Sequence, residues 1–320
     1  MKKLLTVTPS RTDGCAYYRS VGPLSQLRND GWEMVLPNAD FDLTWGTLSQ
    51  YDALFLQRPY LPDHLTLAKM AKPLMPIWVD IDDLVWDLPQ CNPNFDRMMT
   101  QKVLDVVDAT LSLADVITTS TEALAITTSR RYPGANVRVV PNAHNNYWFP
   151  QQASAPLTPM VFWRGTNTHQ CDLLEYANAI VAAKKRHPET RFVFMGTTPW
   201  MLTGRMEYER AQGVDMFRYL QLLSTKIRPA LTIVPLADNQ FNRCKSNVAW
   251  VEAGVVGGRV IAPDWPEWQQ DGIANYRNPA TFLEILSAEI AAMQETPVHI
   301  HVPLLSATNT IRLNILETLT

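Results

Sequence analysis

The sequence predicts an α/β protein built from two Rossmann-like domains, and three observations carry that prediction. Short hydrophobic runs alternate with helical segments, the order that produces a parallel sheet with helices on its faces. A proline-bearing, polar break over residues 147–159, YWFPQQASAPLTP, interrupts the alternation, which then restarts. The chain's 320 residues are long for one domain and comfortable for two, each able to bury its own core. We therefore expect an N-terminal domain over residues 1–150, a C-terminal domain over 151–305 and a terminal helix over 306–320.

In the first half, residues 3–8 read as a short strand, followed by a polar loop containing Asp13-Gly14 and a helix over 19–29. Strand, Gly-containing loop and helix open a Rossmann-like unit, yet no G-x-G-x-x-G is present, so a dinucleotide cofactor has little support. Strands follow at 33–36, 53–57 and 77–81, and a helix is expected over 95–113. Residues 114–120 form a strand and a Ser/Thr-rich turn; Thr121-Glu122 opens a helix ending near Tyr132-Pro133-Gly134. A strand at 137–140 then runs into Pro141-Asn142-Ala143-His144.

The second half repeats the scheme. A strand at 160–163 leads to the loop Arg164-Gly165-Thr166-Asn167-Thr168-His169, a helix over 172–186, and a strand at 191–195 closed by Gly196. A polar, partly helical stretch over 204–219 precedes a strand at 230–235. Residues 241–268, FNRCKSNVAWVEAGVVGGRVIAPDWPEW, are the organising stretch. Ser246 and Asn247 are residue types that cap helices, Val248, Val251 and Val255 recur at helical spacing, and Gly257-Gly258 stops the run. A buried strand and an aromatic loop follow, then helices over 279–293 and 309–319. Where a loop, a helix N-terminus and a strand meet, free backbone N–H groups and the positive dipole end favour phosphate.

This segment, FN-x-x-KS followed by Glu252, a glycine and a hydrophobic strand, resembles the donor-binding segment of GT-B glycosyltransferases, especially the retaining ones that use nucleotide sugars. The resemblance implies two Rossmann-like domains facing a cleft, with a C-terminal helix crossing back to the N-terminal domain. ADVITTST followed by VRVVPNAHN resembles the end of that family's N-terminal domain. The resemblance implies that Glu252 holds the nucleotide ribose, and that Arg164, with Gly165, Gly196, Ser246 and Asn247 around it, faces the donor. Where the family has a second Glu eight residues before Glu252, this chain has Cys244. Where it has a Lys five residues after the Arg, this chain has His169, and we infer that Lys245 supplies the second cation. The implied activity is transfer of a sugar from a nucleotide diphosphate sugar to a hydroxyl acceptor, with no cofactor or metal, the nucleotide sugar being a substrate.

The densest carboxylate cluster is Asp80, Asp82, Asp83 and Asp87, at the end of the strand over 77–81. Two readings compete. Asp80-Ile81-Asp82 has the D-x-D form that holds a metal and diphosphate in the other glycosyltransferase architecture, GT-A, because alternate strand positions share a side. The favoured alternative places Asp82 and Asp83 at the acceptor side of a GT-B cleft, with His144 as a further acceptor-side group. A third reading makes these residues turn caps, and a non-catalytic nucleotide-sugar-binding protein is the rival outside enzymology.

Composition narrows the partners. Net charge is −3, with 13 Lys+Arg against 16 Asp+Glu in residues 1–150 and 15 of each in the remainder, so no basic stripe for duplex nucleic acid stands out. A modified DNA base as acceptor is therefore possible but not favoured. No apolar run approaches the roughly 20 residues of a membrane span, and the expected location is cytoplasmic. The 4 cysteines show no C-x-x-C pairing and are expected to be free thiols. His299-Ile300-His301 has the spacing of strand metal ligands but lacks a third.

Overall fold

The computed structural model describes residues 1–38, 41–151 and 154–320; Gln152 and Ala153, inside the expected linker, lie outside the described residues. The front sheet comprises β1 (Lys2–Val7), β2 (Trp32–Val35), β3 (Ala53–Gln57), β4 (Ile77–Ile81), β5 (Val116–Thr119) and β6 (Val137–Val139), in the order β2-β1-β3-β4-β5-β6. The rear sheet comprises β7 (Thr158–Gly165), β8 (Arg191–Gly196), β9 (Glu209–Ala211), β10 (Pro229–Ile233), β11 (Arg259–Pro263) and β12 (Ile273–Tyr276), in the order β12-β11-β10-β7-β8-β9. Neighbouring strands run parallel throughout both sheets.

The strands read as continuous hydrophobic runs because both faces are covered. On one face of the front sheet Leu5, Leu54, Leu56, Ile77, Val79 and Ile117 share a core, and the alternate residues Leu4, Phe55, Trp78 and Val116 share another. The rear sheet divides in the same way between Val161, Phe192, Leu231 and Ile261 on one side and Met160, Phe162, Val193 and Ala230 on the other. Strand order reverses direction at β1/β3 in front and at β7/β10 behind. In doubly wound sheets such a switch point opens a crevice beyond the carboxyl ends of the strands, where ligands bind.

The chain crosses between the sheets twice, and the crossings lie side by side: His144 N donates to Pro303 O at 2.8 Å and Leu305 N to His144 O at 2.8 Å. The second crossing delivers the helix Leu305–Leu319 onto the front sheet, where Ile315 and Leu316 join the core of Leu4, Phe55, Trp78 and Val140. Asn309 Nδ2 donates to Pro23 O at 3.1 Å, and Arg312 Nη2 donates to Tyr18 O at 3.4 Å. The terminal helix therefore returns to the front domain, as expected, although it starts four residues before residue 309.

Several expectations need correction. The helix expected over 19–29 is broken into Gly14–Arg19, Val21–Leu24 and a 3₁₀ turn, Ser25–Asp30. Pro23 lacks an N–H, and Gly22 packs so tightly that a Cβ there would lie 1.9 Å from Tyr17 O. The helix expected over 95–113 is interrupted before Thr100, which starts a new one by accepting from Val103 N. β9 and β12 fall in stretches read as partly helical and as loop, since each is too short to show a period. Free thiols are found at Cys15 and Cys244 only; Cys91 and Cys171 form a disulfide joining the front domain to the rear. His299 and His301 lie in an irregular segment with ring centroids 4.4 Å apart. Among the described residues no helix is long and apolar enough to cross a membrane.

Leu316 is fully buried. Leu316→Ala is expected to cost about 2–5 kcal/mol in urea unfolding, the range for a large-to-small core change. A cost below about 1 kcal/mol would mean that the site collapses to fill the void or that the helix does not seal this core.

Candidate active site

Both switch points open onto one cavity of about 240 Å³ between the domains. Its rear wall is formed by the carboxyl ends of β7 and β10 and by the helix Val248–Val256; its front wall by Gly14, Cys15 and Tyr18, by Asp82 and Asp83, and by Asn142. Gly257, at φ 80°, terminates that helix in the left-handed conformation that glycine tolerates best.

Glu252 is the centre of the site. It is 4% exposed, although it sits on a helix whose other residues are almost all apolar. Arg164 Nη2 donates to its Oε1 at 2.5 Å and Arg164 Nε to its Oε2 at 3.3 Å. Tyr18 OH donates to Oε1 at 3.2 Å and Tyr219 OH to Oε2 at 2.9 Å. Arg164 also lies over the Tyr219 ring, 4.4 Å from its centroid. Burial first, and the Glu252 charge second, hold both phenols well above their ordinary range, so each keeps its proton to donate. Burial opposes the Arg164 charge, but Glu252, Tyr219 and Tyr18 outweigh it and the guanidinium stays charged.

The front wall is braced by arginines. Arg19 and Asp80 form a buried pair, Nη2 to Oδ2 at 2.6 Å and Nε to Oδ1 at 3.1 Å, and Thr118 Oγ1 donates to Asp80 Oδ2 at 2.6 Å. Asp80, its oxygens already engaged by Arg19 and Thr118, is therefore not free to form half of a metal-binding D-x-D. Among the described residues no group of three or more His, Cys, Asp or Glu is placed to hold a metal ion. Asp82 and Asp83 do face the cavity, and Arg58 bridges them, donating through Nε to Asp82 and through Nη2 to Asp83 Oδ2 at 2.7 Å. Arg58 holds φ at 50°, an uncommon state for a residue with a side chain.

Cross-domain contacts close the mouth. Lys245 Nζ lies 3.4 Å from Asp83 Oδ1, Asn142 Nδ2 donates to Ser246 Oγ at 2.8 Å, and Thr121 Oγ1 donates to Cys244 O at 3.0 Å. Ser246 and Asn247 do not cap the helix with their side chains: Ser246 is engaged by Asn142, while Asn247 Nδ2 donates to Glu267 O at 3.1 Å. Gly165 and His169 line the cavity, with His169 Nδ1 2.8 Å from Asp172 Oδ2. Gly196 does not; its φ of 101° turns the chain where a Cβ would lie 2.2 Å from Gly165 O. His144, expected on the acceptor side, does not line this cavity: it is 2% exposed and fixed between the two crossings. The sequence reading missed Tyr219 and Arg58 as site residues; Arg58 stood legibly at the carboxyl end of β3, whereas nothing local distinguishes Tyr219.

Glu267, next to the helix N-terminus, accepts from Asn247 N at 3.4 Å. Burial pushes its carboxyl up to about 7; the Asn247 N–H works the other way and the charge of Glu122 across the domain boundary adds to the rise. The folded form therefore keeps a proton that the unfolded chain releases near its ordinary value, and stability falls as pH rises from about 4.5 to about 7. Urea midpoints at pH 5 and pH 8 should differ less in Glu267→Gln than in the wild type; an unchanged difference would remove Glu267 as the cause.

No protein-family model and no curated protein sequence matches the chain. Solved structures do. Sucrose-phosphate synthase from Thermosynechococcus elongatus aligns at a TM-score of 0.61 and 14% identity, over 99% of this chain and 95% of that one. An alpha-glucosyltransferase in complex with UDP and a 13-mer DNA containing an HMU base aligns at 0.60 and 10%, over 99% of each chain. UDP-GlcNAc 2-epimerase from Neisseria meningitidis, bound to UDP-GlcNAc, aligns at 0.53 and 12%, over 99% of this chain and 100% of that one. At these identities the likeness shows the fold, and with the two sheets and the returning helix it establishes that the chain has the GT-B fold, two Rossmann-like domains facing a cleft.

Proposed function

We propose that the protein transfers a sugar from a nucleotide diphosphate sugar to a hydroxyl acceptor. One observation carries the reading: Glu252, Arg164 and Lys245, distant in sequence, line the same inter-domain cavity at the switch points of two parallel sheets. Glu252 would accept from the ribose hydroxyls. Arg164 and Lys245 would neutralise the leaving diphosphate, assisted by the N-terminus of the Val248–Val256 helix. Asp82 and Asp83, held by Arg58, would form the acceptor side, with Asn142 beside them. Domain closure would exclude water, which both strengthens these interactions and suppresses hydrolysis of the donor. On this reading the protein's own cations supply the charge that a metal or cofactor provides elsewhere, and the nucleotide sugar is consumed as substrate.

The test combines binding with turnover. UDP-, ADP- and GDP-sugars are screened by thermal shift on the wild type and on Glu252→Gln, and release of free nucleoside diphosphate is followed with a panel of hydroxyl acceptors. One donor should stabilise the wild type and bind Glu252→Gln about tenfold more weakly or worse, the loss expected for a hydrogen bond to a charged group. Because the alpha-glucosyltransferase above was solved with DNA containing an HMU base, such DNA belongs in the acceptor panel. Indifference of both proteins to every donor would refute the reading, and binding without turnover on any acceptor would convert it to that of a non-catalytic binding protein.

A further inference from the structure

Building on the reading of Glu252 as the ribose ligand, we infer that Tyr18 is a gate: its phenol occupies the carboxylate position that the donor must take, and donor entry requires the two domains to part. A carboxylate offers about four lone-pair sites, and Glu252 receives four donors, two from Arg164 and one each from Tyr18 and Tyr219. None is left for a ribose diol. Of the residues involved, Arg164 and Tyr219 belong to the rear domain with Glu252, whereas Tyr18 reaches it from the front domain on the helix Gly14–Arg19. Separation of the domains therefore withdraws Tyr18 and leaves the others in place.

The cavity points the same way. At about 240 Å³ it falls below the roughly 300–1,000 Å³ typical of small-molecule sites, and a nucleotide diphosphate sugar is not a small occupant. The Gly14–Arg19 helix is pressed onto the rear domain: Tyr17 meets Phe217 edge-on at 5.6 Å between centroids, and Met216 N donates to Thr12 O at 3.1 Å. Tyr18 thus acts as a positioning residue, satisfying the Glu252 charge in the empty protein and exchanging with the ribose hydroxyls on binding.

Isothermal titration of the protein with UDP, ADP and GDP, comparing the wild type, Tyr18→Phe and Glu252→Gln, tests this. Phenylalanine keeps the ring and removes only the competing donor. Tyr18→Phe should bind the preferred nucleoside diphosphate about tenfold more tightly, the worth of one net hydrogen bond, while Glu252→Gln binds it more weakly. Unchanged or weakened binding by Tyr18→Phe, with Glu252→Gln impaired, overturns the gate and leaves the ribose reading standing. Unaltered affinity in Glu252→Gln overturns both. A second measurement needs no variant: stopped-flow binding to the wild type should reach a plateau rate at high nucleotide, set by domain opening, whereas a rate rising linearly with concentration contradicts a gate.

Discussion

The arrangement of the site depends on one buried carboxylate. Glu252 sits one turn into a helix that is otherwise apolar, and an isolated charge at that depth would be neutralised or would unfold its surroundings. A guanidinium and two phenols converge on it and donate to its oxygens, one of the phenols from the opposite domain. The same contact therefore gives a buried carboxylate of the rear domain a donor from the front domain. Arg164 keeps about a third of its side chain open to the cavity, so one face of the pair is held for a ligand while the other is sealed.

A second bracing system stands opposite. The Arg19–Asp80 pair with Thr118 is wholly inside the front domain, and Arg312, from the helix that returns across the boundary, packs close to it. Burial, with the neighbouring Arg19 charge, brings the Arg312 guanidinium down to about 9, while Asp80 acts in the opposite sense. Arg312 also donates to the carbonyl of Tyr18, the residue whose phenol reaches Glu252. The terminal helix is thereby coupled, through a single residue, to the carboxylate at the centre of the cleft. The Cys91–Cys171 disulfide joins the domains at another point, the latter residue lying in the first turn of the helix Gln170–Arg186 that follows His169.

Much of this was legible in the letters, for identifiable reasons. Strands buried on both faces announce themselves as unbroken hydrophobic runs, and β3 and β4 were bounded to the residue. The restart after residue 159 marked a second domain because parallel sheets demand the same alternation twice. Glu252 could be singled out because a segment, and not a lone residue, resembled a known family. What failed were inferences from isolated side chains. His144 was read as an acceptor-side group, but its backbone pairs with Leu304 in a segment more than 150 positions away, and it is buried. The D-x-D reading of Asp80 and Asp82, already the less favoured of the two, meets an arginine partner on each carboxylate from elsewhere in the chain. Cys91 and Cys171, 80 residues apart, carry no local signature, since only the packing of two domains brings them together.

The most direct test of the central claim is a crystal structure of the protein with its preferred nucleotide sugar bound. The account predicts ribose hydroxyls on Glu252, the diphosphate between Arg164 and Lys245, and the Tyr18 phenol withdrawn from the carboxylate. A nucleotide seated elsewhere, or one bound while Glu252 retains all its present donors, would contradict it.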